Sequence, residues 1–360
     1  MHYFICYLIY ILLKIKIFLH LLYKTHALIS QGLRLASNSK FKISCYCNYT
    51  MNNTYILLVL LQLLKITAHS KRLSHLPLSP LLDRKPRLIP ALFHAPISLI
   101  QEIKDHVPYA AIAYCNEIER SKVNRNTGML SKHAVIYRDI DVKETDTHAQ
   151  VYLNKEQREI IATFRGSDTI SKFFSSYVTT TANYSGIPNA KVHQSSLEFA
   201  ESIRYQVFSI VAYLINKHPN FRIVLVGHSL GGNIATLMAP MLAKDLHMDP
   251  KKIRVITYGQ LRVGNHAFAK HYNKLGFNFT RVINKADPAA NHPSYDDGWA
   301  HVNQELYIGE GNVFFLCSTK YLEDPACSHK KSKYLSILTQ HEYVADLKIS
   351  PRGCGLWDFF

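Results

Sequence analysis

The residues with the clearest chemical potential are a serine and the glycines around it. Ser229 occupies the centre of Gly227-His228-Ser229-Leu230-Gly231, a G-x-S-x-G pattern. One apolar run, residues 223–226, precedes it and another, residues 234–239, follows it. A nucleophile on a sharp strand-to-helix turn needs neighbours without side chains, because its backbone is strained and closely packed. The pattern therefore predicts that Ser229 is a nucleophile, with the N–H groups of the following helix facing the developing oxyanion.

A serine hydroxyl needs a base to take its proton and an acid to orient that base. Behind such a turn the acid comes next in the chain and the histidine comes last. Asp287 is the best-placed acid, because it follows the strand-like run 279–283, and loops at the carboxyl ends of strands are where such sheets bind ligands. The candidate bases, among which spacing does not choose, are His247, His266, His271, His292, His301, His329 and His341.

Strand-like and helix-like segments alternate from about residue 100, which predicts one α/β domain with a largely parallel sheet. Apolar spacing predicts helices at 100–119, with an interruption near Pro108, and at 193–217 and 233–246. Strands are predicted at 133–142, 148–153, 159–164, 221–226, 253–258 and 277–284. A long irregular tail is predicted to follow.

Residues 1–70 have the composition of a targeting region. The apolar run 55–64 ends near Ala68-His69-Ser70, which predicts a signal peptide over 51–70 that begins at Met51, and a secreted product. Residues 1–50 are then a non-native extension; the alternative is a membrane anchor formed by the N-terminal apolar segment. Five prolines between 71 and 100 predict a pro-segment or extended arm. The catalytic domain is predicted to span 101–360.

The charge distribution argues against a nucleic-acid partner. The net charge is +16, and residues 1–70 contribute seven basic residues and no acidic ones, which leaves +9 for residues 71–360. In that remainder Lys and Arg are scattered among acids and form no basic patch.

Four of the seven cysteines lie outside the N-terminal region, namely Cys115, Cys317, Cys327 and Cys354. An even number in a secreted chain predicts two disulfides, and three pairings are possible.

Several blocks, taken in order, resemble the class 3 lipases of the filamentous-fungal triacylglycerol lipase type. The likeness extends from about residue 109 to residue 355. The matching blocks are Tyr109–Cys115, Phe164-Arg165-Gly166-Ser167, Val192-His193, Gly227–Gly232, Tyr258-Gly259-Gln260, Arg262–Asn265, Asn284–Pro288, Cys317–Cys327, Gln340–Tyr343 and Cys354.

The resemblance implies a fold and a set of site residues. The fold is the α/β-hydrolase fold, a mostly parallel central sheet flanked by helices, with a short lid after the oxyanion loop. Asp287 is implied as the acid and His341 as the base, with His301 a structural histidine. The backbone N–H groups of Ser167 and Leu230 are implied as the oxyanion hole. The implied disulfides are Cys115–Cys354 and Cys317–Cys327, and neither a metal ion nor an organic cofactor is needed.

The segment after Ser167 departs most from the family, which often has Trp and Asp there. It retains Ile170, Phe173, Phe174 and Tyr177, which we interpret as the apolar face of a lid that docks on lipid. The alternative is a cluster that packs in the core. The resemblance implies a monomeric triacylglycerol lipase that acts at a lipid–water interface. The alternatives are a feruloyl or other soluble-ester carboxylesterase and, from a different class, an inactive lipid-binding surface protein.

Overall fold

The computed structural model describes residues 93–117, 120, 130, 133–167, 179–184, 186–329, 338–344 and 347–349. The chain divides into two units, Met1–Lys85 and Pro86–Phe360, and all described residues belong to the second. The predicted lid residues Ile170, Phe173, Phe174 and Tyr177, and also Cys354, lie outside the described residues. Within the described ranges, no helix has both the length and the apolar character needed to cross a bilayer.

In the described part of the chain, nine strands form the main sheet. They are β1 (Phe93–His94), β2 (Ala134–Val142), β3 (Thr147–Asn154), β4 (Glu159–Phe164), β7 (Arg222–His228), β8 (Ile253–Tyr258), β10 (Asn278–Asn284), β12 (Glu305–Ile308) and β13 (Phe314–Leu316). Their order across the sheet is β1-β13-β12-β10-β8-β7-β4-β3-β2. Strands β4, β7, β8, β10 and β12 are parallel to their neighbours in this series, and the outer strands pair antiparallel. The carboxyl ends of the parallel strands therefore meet at one edge.

Helices cover both faces of this sheet. They are α1 (Ile97–Ile112), α2 (Gln194–Lys217), α3 (Leu230–Asp245), α4 (His266–Lys274) and the short α5 (Leu338–His341). On β7, Ile223 and Leu225 pack in the cluster with α2 and α3, whereas Val224 and Val226 pack in the cluster with α1. Because both faces are covered, a central strand is apolar at every position, as the run 223–226 is.

The remaining strands form two small antiparallel sheets. Strands β5 (Thr181–Asn183), β6 (Lys191–His193), β9 (Gly264–Asn265) and β11 (Trp299–Ala300) form one, in the order β11-β9-β6-β5. Strands β14 (Tyr343–Val344) and β15 (Leu347–Lys348) form the other. The second sheet directly follows His341.

The structure confirms the α/β-hydrolase fold and corrects three details of the sequence prediction. Helix α1 runs through Pro108 without a break, because buried residues on both sides, such as Ile103 and Ile112, hold it against the sheet. The helix after Ser229 starts at Leu230, earlier than 233. The tail after residue 284 is not irregular, since it supplies β12 and β13 to the main sheet.

The fold also begins before residue 101. Strand β1 pairs with β13, and α1 starts at Ile97, directly after Pro96. Proline suits the start of a helix because its missing N–H would have no partner there. The last residues of the predicted arm are thus part of the sheet and of α1.

Candidate active site

Ser229 lies at the turn between β7 and α3. Its φ of 57° and ψ of −126° are a strained combination for a residue with a side chain. A Cβ atom on Gly227 would collide with the main chain of Gly231, and one on Gly231 would collide with the carbonyl of Phe164. The spacing of glycines in the pentapeptide is therefore a packing requirement of a very tight turn.

His341 and Asp287 form a buried pair at the same edge of the sheet. The Nδ1 atom of His341 lies 3.0 Å from each carboxylate oxygen of Asp287, and both side chains are about 1% exposed or less. Oxygen Oδ1 of Asp287 also accepts a hydrogen bond from the backbone N–H of Ala289, at 2.8 Å. An ionised carboxylate only accepts hydrogen bonds, so in the neutral ring Nδ1 carries the hydrogen and Nε2 is the acceptor nitrogen.

His228, the residue before the serine, connects the turn at Ser229 to His341. Its Nε2 lies 2.8 Å from the main-chain oxygen of His341, and its Nδ1 lies 2.8 Å from the hydroxyl of Tyr114. The two imidazole rings are 4.6 Å apart between centroids. Burial, and then the neighbouring His341, hold the pKa of His228 well below its usual range. Sequence reasoning did not single out His228 or Tyr114, although both are part of the matching blocks.

The hydroxyl of Ser229 makes no hydrogen bond to any atom of the described residues. The serine–histidine hydrogen bond of a catalytic triad is therefore not formed in this state. Such bonds are often long or poorly aligned in the absence of substrate, so the arrangement is compatible with proton transfer to His341.

The two predicted oxyanion donors are Leu230, which directly follows Ser229, and Ser167, in the loop after β4. Leu230 is the first residue of α3, where N–H groups have no partner within the helix. Ser167 follows β4, next to Gly166, and a Cβ atom on Gly166 would lie 3.1 Å from the Cβ of Ser229. The loop after β4 thus passes beside the serine, at the carboxyl ends of the parallel strands.

His301 lies behind the acid loop. Its Nε2 is 2.8 Å from the carbonyl oxygen of Ala290, and its backbone N–H donates to Glu323 at 2.9 Å. Burial, and then the charge of Arg281, keep the pKa of His301 well below its usual range. The structure thus attaches His301 to the loop that carries Asp287, whereas His341 contacts the carboxylate itself.

A buried ion pair supports the same loop, and the sequence did not reveal it. Arg262 donates from Nε and from one terminal nitrogen to the two oxygens of Glu323, each at 2.7 Å, and also to the carbonyl of Pro293 at 2.7 Å. His329 lies 2.9 Å from Glu323. Hydrogen bonds from Arg262 and His329 lower the pKa of the Glu323 carboxyl despite its burial. The match to the block Arg262–Asn265 was the available signal, but it did not name the partner.

The late cysteines are joined as the resemblance implied. Cys317 and Cys327 form a disulfide. The loop between them carries Glu323. Cys115 is also disulfide-bonded, and its implied partner Cys354 lies outside the described residues.

Comparisons with known proteins agree with this geometry. The family model for class 3 lipases matches residues 161–296, a range that contains Ser229 and Asp287. The lipase of Rhizopus niveus is 28% identical over 251 residues, which is 68% of this chain and 63% of the relative. The secreted mono- and diacylglycerol lipase 1 of Fusarium solani is 25% identical over 218 residues, 59% of this chain and 64% of the relative. The chain thus spans just under two thirds of the length of these curated relatives.

The similarity to solved structures covers a larger share of both chains. Lipase II of Rhizopus niveus has a TM-score of 0.66 at 26% identity, and the likeness covers 73% of this chain and all of that one. The parallel sheet and the serine turn define an α/β-hydrolase. Within that class, the chain is similar to the class 3 lipases and to fungal lipases of Rhizopus and Rhizomucor.

Proposed function

We propose that the protein is a secreted serine ester hydrolase that acts on acylglycerols at a lipid–water interface. The observation that carries the proposal is the buried His341–Asp287 pair, at 3.0 Å, beside the strained turn of Ser229. The names of the fungal relatives support the substrate class. The Fusarium solani relative is named as secreted, which supports an extracellular location for this chain.

Proton transfer in the proposed reaction runs through His341. Ser229 Oγ attacks the ester carbonyl while Nε2 of His341 accepts its proton. Asp287 stabilises the imidazolium through Nδ1. The backbone N–H groups of Ser167 and Leu230 donate to the tetrahedral oxyanion. Collapse of the intermediate expels the alcohol, which takes the proton from His341, and water then releases the acyl group by the same steps.

Substitutions at the proposed triad test the chemistry. Ser229→Ala should abolish hydrolysis of a soluble short-chain ester while the thermal unfolding midpoint stays close to that of the wild type. His341→Ala should lower kcat by several orders of magnitude, and His301→Ala, the matched control, should leave most of it. Turnover retained in Ser229→Ala, or equal losses in the two histidine variants, would refute the assignment.

The substrate class is tested separately from the triad. A lipase should show a jump in rate when an emulsified long-chain triglyceride exceeds its solubility limit. A soluble-ester carboxylesterase should saturate below that limit on a short-chain ester and show no jump. Failure of a serine-directed phosphonate to label the folded chain would favour the inactive lipid-binding protein.

The remaining parts of the proposal are the lid, the second disulfide and the solution state. We expect Ile170, Phe173, Phe174 and Tyr177 to form the apolar face of the lid, and Cys115 to pair with Cys354. Peptide mapping of the non-reduced protein should recover the Cys115–Cys354 pair. We also expect a monomer that does not bind nucleic acid, which gel filtration and a filter-binding assay would check.

A further inference from the structure

The main chain that carries His341 is poorly supported by its own secondary structure. Helix α5 contains four residues and ends at His341, and β14 and β15 contain two residues each. So short a helix is unstable alone, because fixing its backbone angles yields very few hydrogen bonds. The position of the imidazole must therefore be set by contacts with the rest of the fold.

On one side, Gln340 attaches this segment to the turn that carries Asp287. Its side-chain Oε1 accepts a hydrogen bond from the backbone N–H of Ala286, at 2.8 Å. Its main-chain oxygen accepts a second one from the side-chain amide of Asn284, at 3.1 Å. The residue before the base is thus bonded to the residue before the acid.

The acid turn is itself fixed to the main sheet. Lys285 has a left-handed φ of 49° and donates its backbone N–H to the carbonyl of Ile308, at the end of β12. The backbone N–H of Asp287 donates to the carbonyl of Asn284, at 3.1 Å. Through the two hydrogen bonds of Gln340 and the acid turn, the segment that carries His341 is therefore attached to the main sheet.

On the other side, His228 attaches the carbonyl of His341 to the turn at Ser229. A carbonyl oxygen only accepts, so Nε2 of His228 must carry the hydrogen. In a neutral imidazole the other nitrogen then has a free lone pair, and Nδ1 accepts from the hydroxyl of Tyr114. The carbonyl of His341 therefore sets the tautomer of this fully buried histidine, and the hydroxyl of Tyr114, which can donate or accept, fits it.

We propose that Gln340 and His228 are positioning residues that hold the backbone around His341 from both sides, with the hydroxyl of Tyr114 hydrogen-bonded to the other ring nitrogen of His228. The inference rests on the proposed function of His341 as the base. Neither side chain takes part in proton transfer. Their effect is on the orientation of the imidazole between Asp287 and Ser229, and that orientation affects kcat.

Two substitutions at Gln340 separate positioning from general packing. Gln340→Leu is similar in size and removes the acceptor, so kcat on a soluble short-chain ester should fall about 100-fold, the size expected for a misplacement of about 1 Å, with KM unchanged. Gln340→Glu keeps an acceptor oxygen for Ala286 and should recover most of the loss. Thr339→Ala changes an exposed neighbour on the same short helix and is the matched control, with kcat close to that of the wild type.

Tyr114→Phe tests the other side without altering either histidine. It removes the hydroxyl that donates to Nδ1 of the buried His228, so the imidazole keeps its bond to the carbonyl of His341 but is held less firmly. We expect kcat to fall about 10-fold, again with KM unchanged. If Gln340→Leu fails to fold, as judged by its thermal unfolding midpoint, Tyr114→Phe decides the question.

The outcomes distinguish this inference from the proposed function. If the wild type hydrolyses the ester and Ser229→Ala does not, then full kcat in both Gln340→Leu and Tyr114→Phe overturns the positioning role alone. A fall in Gln340→Glu as large as that in Gln340→Leu would also overturn it, because the acceptor would not matter. A wild-type chain without esterase activity would overturn both proposals.

Discussion

Gly259 follows strand β8 and lies against the Asp287–His341 pair. Its φ is +54°, and its backbone N–H donates to the carbonyl of Val282. A Cβ atom at this position would lie 2.8 Å from Oδ2 of Asp287 and 2.8 Å from Nδ1 of His341. Replacement by alanine therefore places a methyl group directly against the hydrogen bond of the proposed triad.

The magnitude follows from these distances. Ordinary contacts of a Cβ atom begin near 3.4 Å, so the new methyl group needs about 0.6 Å more room from each of the two atoms. If one partner moves by that amount, the bond of 3.0 Å lengthens to about 3.6 Å, which is no longer a hydrogen bond. We expect kcat for Gly259→Ala to fall by about 100-fold, and by up to about 10⁴-fold if the histidine loses the acid altogether. The left-handed backbone adds about 1–2 kcal/mol of destabilisation.

Gly276→Ala is the matched control for the backbone cost. Gly276 has a φ of +81°, and the nearest atom to its added Cβ is Cε of Lys251, at 4.0 Å. Gly276→Ala should therefore lose about 1–2 kcal/mol of stability in denaturant unfolding and keep kcat on a soluble ester, whereas Gly259→Ala should lose at least that much stability and also kcat. Wild-type kcat in Gly259→Ala, or an equal loss in Gly276→Ala, would refute this reasoning.

Three further predictions concern the acid, its support and the buried histidines. Asp287→Asn should lower kcat by about 10⁴-fold with folding intact, because an amide does not stabilise the imidazolium. The control Asp245→Asn, which disturbs only the pair with Arg204 at the end of α3, should leave kcat unchanged. Similar kinetics in the two variants would contradict the role of Asp287. Glu323→Gln breaks the buried pair with Arg262 and should lower the free energy of unfolding in urea by about 3–5 kcal/mol. A loss below about 1 kcal/mol would mean that the pair contributes little. The pKa values of His228 and His301 lie well below that of an unfolded histidine, near 6.5. The unfolded chain therefore binds more protons than the folded chain as pH drops below about 6.5. The unfolding free energy should fall there by up to about 1.4 kcal/mol per pH unit for each histidine. His301→Gln should reduce that slope, and an unchanged slope would contradict the interpretation.

The elements around Ser229 were predictable because their signals are local. Strand β8 was predicted at its observed bounds, and α2 within one residue, since apolar spacing and chain direction are read over a few neighbours. Strand β12 was missed because it has only four residues and begins with Glu305, a charged residue whose buried carboxylate pairs with Arg281, on β10, at 2.9 Å. A partner 24 positions away in the chain has no signature within the strand itself.

The sequence alone determined that Ser229 lies on a tight turn in an α/β chain, because the glycines, the strand and the helix are all within about ten residues of it. It also placed Asp287 after a strand, where acids of such sheets lie. It left seven histidines as possible bases, and only the resemblance to a family favoured His341. Only the tertiary structure showed that His341 meets Asp287, that Gln340 bonds to the turn before Asp287 and that His228 bonds to the carbonyl of His341, because these contacts join segments more than 50 positions apart.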